Sequence, residues 1–156
     1  MWGKNNLTRP KNQHNTVMEA LINYISDTLT PINLRNEYDL YLDDEFEFPS
    51  GPFQSMYPSD VLKTMDEIKY NLGCREFIND KAENEWLEID SLYYAREDVE
   101  QAREDFILEL KIEVKERKEE VNSMIADKYP QEDIDEAAKK LLEVENQIKE
   151  AKKYIF

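Results

Sequence analysis

The sequence predicts a mainly α fold: a helical domain, a C-terminal antiparallel helical hairpin and a short acidic β ribbon, with an α+β fold holding a small antiparallel sheet as the alternative. Three observations carry this prediction. Only three of 156 residues are glycine while Lys, Glu and Leu recur, which favours helix over glycine-dependent turns. From Ile134 to Ile155 the apolar residues keep a heptad spacing. Between Glu37 and Phe48 apolar and acidic residues alternate with a period of two, the mark of a strand.

Residues 1–14 carry Asn, Lys, Arg and Pro with little periodicity and read as a loose arm, in which Trp2 either packs over a core or anchors in a partner. A first helix is expected from Asn15 or Thr16, where Thr16 and Glu19 have the capping-box spacing and Val17, Leu21, Tyr24 and Leu29 recur near helical intervals; Pro31 ends it. The ribbon follows over residues 37–48, with Tyr38, Leu40, Leu42, Phe46 and Phe48 on one parity and Glu37, Asp39, Asp43, Glu45 and Glu47 on the other, broken by Asp44 and Tyr41. Pro49, Gly51 and Pro52 force a turn. Ser59 then caps a helix over Asp60 to Leu72 with Val61, Met65, Ile68 and Leu72 inward, and Gly73 stops it.

No Gly or Pro occurs between Asn79 and Pro130, and Leu92, Ala95, Val99, Ala102 and Phe106 hold one helical stripe, so a long helix is expected from Lys81 to Lys128. Residues 106–115 also alternate and offer a strand as the alternative; the flanking helix formers favour helix. Pro130 at a first helical position starts the last helix, whose stripe is Ile134, Ala137, Leu141, Val144, Ile148, Ala151 and Ile155. So short a turn folds it back on its predecessor. The expected organisation is an arm at 1–14, a small helical domain at 15–80 containing the ribbon, and the long helix with the hairpin at 81–156.

Charge decides the function class. Residues 1–35 carry a net charge of +2, residues 36–110 carry −15 and residues 111–156 carry −2, for −15 in all. This balance disfavours direct contact with nucleic acid or anionic membrane, because phosphate rewards Lys and Arg. No long apolar run is present, and Cys74 is the one cysteine, best read as a buried small hydrophobe, so a cytoplasmic protein without disulfides is expected. With His14 as the single histidine there is no imidazole pair for a metal and no set of nucleophile, base and orienter; Cys74 shares no local context with it. Three glycines build no phosphate cradle. No cofactor, no metal and no enzymatic activity are expected.

What remains is a binder for a basic protein surface. Carboxylates two apart on a strand lie about 6.6 Å from each other, and those three or four apart on a helix about 5 to 6 Å. Both spacings are comparable to that of successive phosphates. The expected partner-binding residues are Glu37, Asp39, Tyr41, Asp43, Asp44, Glu45 and Glu47 in the ribbon, extended by Glu97, Asp98, Glu100, Glu104 and Asp105, with Tyr38 and Phe46 as packing anchors. In size, acidity, low glycine and lack of catalytic residues the chain resembles, by composition, the small proteins that bacteriophages make against host defences, the anti-CRISPR and anti-restriction proteins. That resemblance implies an inhibitor occupying the nucleic-acid groove of a host enzyme. The alternative is a helical scaffold that oligomerises, for instance as a homodimer, through its coiled-coil hairpin.

Overall fold

The computed structural model describes residues 13–48 and 50–154, with side chains from Thr16 onward. The arm with Trp2, the side chain of His14 and the last heptad position, Ile155, lie outside the described residues. Helix α1 spans Gln13–Thr28, α2 Leu34–Glu45, α3 Pro58–Met65 and α4 Glu67–Asn84. Strands β1 (Trp86–Ile89) and β2 (Leu92–Ala95) follow, then α5 (Arg96–Ala126) and α6 (Gln131–Ala151). The chain forms two compact units, one of residues up to Thr28 with those from Glu100 onward, the other Leu29–Val99. The fold is mainly α with one small antiparallel sheet.

In the first unit, α1 buries Val17, Leu21 and Ile25, one residue per turn. Val17, Ile107 and Ala151 form a cluster extended by Phe106, Ile148 and Tyr154, so α1, α5 and α6 share one core. The helical hairpin is present. Its pairing is antiparallel: the Arg103 guanidinium donates to the carbonyl of Tyr154 at 2.5 Å, and Lys118 pairs with Glu145 at 2.8 Å. The heptad stripe of α6 faces inward, with Val144 and Ala151 buried and Ile134, Ala137, Leu141 and Ile148 half-buried. Between the helices the chain turns through Lys128 at φ 60°, where the amides of Tyr129 and Lys128 donate to the carbonyls of Met124 and Ile125. Pro130 stands one residue before the helix, as its N-cap.

The second unit departs from expectation in five places. Residues 37–48 are not a ribbon: Leu34–Glu45 is helical, capped by Asn33, whose side chain accepts from the amide of Asn36 at 3.2 Å. A period of two contains a period of four, and Tyr38 and Leu42, four apart, are the buried pair while Leu40 stays exposed. The helix expected over Asp60 to Leu72 breaks at Asp66, at φ −151° and ψ 78°, whose carboxylate accepts from the amide of Lys69 and caps α4. Ser59 lies inside α3, behind the N-cap Tyr57 and Pro58.

That break re-aims both helices. α3 packs Leu62, and α4 packs Tyr70, Cys74, Phe77 and Ile78, against Tyr38 and Leu42. Of the expected inward stripe only Val61 is half-buried; Met65, Ile68 and Leu72 are turned to solvent, with Met65 80% and Ile68 75% exposed. Gly73 ends no helix; it sits inside α4 beneath the Tyr38 hydroxyl.

The fifth departure interrupts the long helix. β1 and β2 pair with Trp86 opposite Ala95 and Ile89 opposite Leu92. Asp90 and Ser91, at φ 50° and 65°, make the two-residue turn. Leu92 and Ala95 thus belong to a strand, and the helical stripe starts only at Val99. Residues 106–115 are helical, within α5. Because Ser91 holds a left-handed conformation, Ser91→Gly is expected to raise stability by about 0.5 to 1 kcal/mol. Urea melts of the two proteins check this; an unchanged or lower midpoint removes the strain argument.

Candidate functional site: acidic helix faces and an aromatic groove

Helical geometry redistributes the carboxylates of residues 37–48. Asp39 and Asp43, one turn apart, face the rest of the second unit and are consumed there. The Asp39 carboxylate accepts from the Tyr70 hydroxyl at 2.6 Å and from Lys63 Nζ at 2.5 Å. Asp43 accepts from the amide and hydroxyl of buried Ser59, at 2.9 and 3.1 Å, and so compensates the N-terminal end of α3. Glu37 is half-buried in the first turn of α2. Asp44, Glu45 and Glu47 are exposed, and Tyr41 is partly so. The five carboxylates read as one ribbon face therefore do not form a row.

Glu97, Asp98, Glu100, Glu104 and Asp105 are all exposed on the first turns of α5. Glu97, Glu100 and Glu104, at spacings of three and four, share one face. Asp105 accepts from the Gln101 amide at 3.0 Å. Together with Asp44, Glu45 and Glu47, these eight side chains make no ion pair with any described lysine or arginine.

Within the second unit, α2 and α4 enclose an open groove of about 570 Å³. Its aromatic lining is Tyr38, Tyr41, Phe46 and Phe77: the Tyr41 ring lies 5.0 Å from Phe77 and 6.4 Å from Phe46, centroid to centroid. Glu45 on α2 and Glu76 and Asp80 on α4 bring three exposed carboxylates to it. Lys81 also borders the groove, its ammonium 5.8 Å from the Phe77 centroid, but both oxygens of Glu85 hold it at 2.7 Å. Glu76, Phe77 and Asp80 were not among the expected binding residues. The signal for them is a pair of carboxylates four apart on a helix with an aromatic residue beside the first.

The titratable groups of the core are tuned for structure. Burial first, then the hydrogen bond and charge of Asp39, push the Tyr70 hydroxyl far above its ordinary range. Burial likewise raises the Cys74 thiol, so it is not a thiolate near neutrality. Among the described residues no three His, Cys, Asp or Glu side chains converge as a cation site. No helix among them is long and apolar enough to cross a membrane.

No protein-family model matches the chain, and neither a curated protein nor a solved structure matches it.

Proposed function

We propose that the chain is a non-enzymatic binding protein that covers the basic, nucleic-acid-binding surface of another protein, an inhibitor of the phage anti-defence kind standing in for nucleic acid. One observation carries this reading: the excess of unpaired carboxylates on the second unit. Leu29–Val99 holds seventeen Asp/Glu against six Lys/Arg, a net charge of −11. Three of those six cations, Lys63, Lys69 and Lys81, are already held by Asp39, Asp66 and Glu85. The exposed carboxylates repel one another across the surface, and a cationic partner relieves that repulsion on contact. Long-range attraction also speeds the encounter and makes it salt-dependent.

The test is capture on the immobilised chain from a bacterial lysate, followed by elution with duplex DNA or with salt. A nucleic-acid-binding protein is expected to be retained, and to be released by DNA and by rising salt. The variant Asp44→Lys/Glu45→Lys/Glu47→Lys spares the structural Asp39 and Asp43 and is expected to bind the captured protein about tenfold or more weakly with unchanged helical content. Unaltered affinity ends the proposal.

The scaffold reading rests on other residues. Leu108, Ile112 and Leu142 of the hairpin helices are about half exposed. It expects a mass, by light scattering, that rises with protein concentration and falls back in Leu108→Asp. A concentration-independent monomer mass favours the binder.

A further inference from the structure

We infer that the groove between α2 and α4 is a receptor for an arginine side chain of the partner, an inference that rests on the proposed binding role and locates its specificity. The wall and the charge call for the same ligand. Tyr41, Phe46 and Phe77 offer aromatic surface, and an aromatic face attracts a cation through its quadrupole. Phe77 already attracts one, the ammonium of Lys81. Lys81 is tied back to Glu85, and no other described lysine or arginine pairs with Glu45, Glu76 or Asp80.

Planarity separates arginine from lysine at such a site. A guanidinium stacks flat on a ring while its N–H fork reaches carboxylates at its edge; an ammonium is a compact, strongly hydrated point charge that does only one of these well. The carboxylates stand on both walls, Glu45 on α2 and the Glu76 and Asp80 pair one turn apart on α4, so a guanidinium lying on the aromatic surface meets acceptors on either side. A volume of about 570 Å³ admits an arginine side chain with its adjoining backbone. The core beneath is fixed, since the Tyr38 ring packs 5.5 Å from Phe77 and 5.3 Å from Tyr70. The groove is therefore preformed, which lowers the ordering cost of binding.

The experiment uses the full chain and two synthetic probes, an arginine-bearing Gly/Ser peptide and its counterpart with every arginine replaced by lysine. Trp86, 5.8 Å from Phe77, supplies a fluorescence reporter beside the groove, and calorimetry an independent one. The arginine peptide is expected to bind about tenfold tighter than the lysine peptide of equal charge. Tyr41→Leu, and separately Glu76→Gln/Asp80→Asn at two exposed positions, are expected to abolish that preference. Circular dichroism identifies any variant that loses its helices, and the second variant still tests the site if the first does so. Equal, salt-sensitive affinity for the two peptides overturns the arginine site and leaves the acidic-surface reading standing. Failure of both peptides to bind at low salt overturns both. A preference that survives in the folded variants overturns the assignment to this groove.

Discussion

Asp39→Ala is expected to destabilise the Leu29–Val99 unit by about 2 to 3 kcal/mol, and Tyr70→Phe by about 1 kcal/mol, although both remove the same hydrogen bond. The asymmetry comes from what each variant leaves behind. Tyr70 is 2% exposed, so without Asp39 its hydroxyl is buried with no acceptor, and Lys63 loses its counter-ion as well. Without the hydroxyl, Asp39 still holds Lys63 and part of its solvation. The pH dependence has a definite sign. Burial and then Asp39 hold the Tyr70 proton well above the ordinary value of 10.0, so the folded chain keeps a proton that the unfolded chain releases. That contribution is complete below pH 10 and shrinks as pH rises beyond it, and Tyr38, raised by burial, adds in the same direction. Urea denaturation at neutral pH, repeated at rising alkaline pH, checks both parts. Equal stability of Asp39→Ala and the parent, or an alkaline loss as steep in Tyr70→Phe, contradicts this account.

The elements legible in the sequence are those whose pattern belongs to one period and whose partner is close along the chain. The α6 stripe at Ile134, Ala137, Leu141, Val144 and Ile148 fits no strand, and the chain that it packs against ends a short turn upstream. In α1 the helical period of Val17 and Leu21 was legible but the start was not: the helix begins at Gln13, not at the expected Asn15 or Thr16, so Thr16 and Glu19 lie inside it and form no capping box at its start. Residues 37–48 satisfy two periods at once, and the choice fell to Asn33 as a cap and to a core formed with α4. The β hairpin is hidden because its turn uses Asp90 and Ser91 where glycine is the usual marker of positive φ.

For the candidate site, the location of negative charge was legible and its division of labour was not. Whether a carboxylate is free depends on residues far along the chain: Ser59 stands 16 residues from Asp43, Lys63 24 from Asp39, and Tyr70 31 from Asp39. Composition counts all of these acids alike. Folding turns Asp39 and Asp43 into structural acceptors, leaves Asp44, Glu45 and Glu47 in solvent, and brings Glu76 and Asp80 from α4 to the groove. The apolar stripe of Met65, Ile68 and Leu72 fails as a core marker for a related reason, since Asp66 ends one helix and caps the next in the middle of it.

Gly73→Ala is expected to destabilise the unit by about 1 to 3 kcal/mol, against the usual rule that alanine improves a helix interior by up to about 1 kcal/mol. Gly73 lies in the interior of α4, where a methyl group would overlap the Tyr38 hydroxyl and stand 3.1 Å from the ring carbon that bears it. The ring has little room to retreat. It is 5% exposed and is flanked by Tyr70 at 5.3 Å, Phe77 at 5.5 Å and Tyr41 at 6.2 Å, so shifting it disturbs the aromatic cluster that lines the groove. Tyr38→Phe deletes the overlapping oxygen and keeps the ring. The double variant is therefore expected to recover part of the loss, the remainder reflecting the tight contact with the ring itself. A double-mutant cycle from urea melts reads this directly as a coupling between positions 38 and 73. If Gly73→Ala is neutral or stabilising in the parent, the ring is free to move, and the preformed groove invoked for arginine recognition loses its rigid floor.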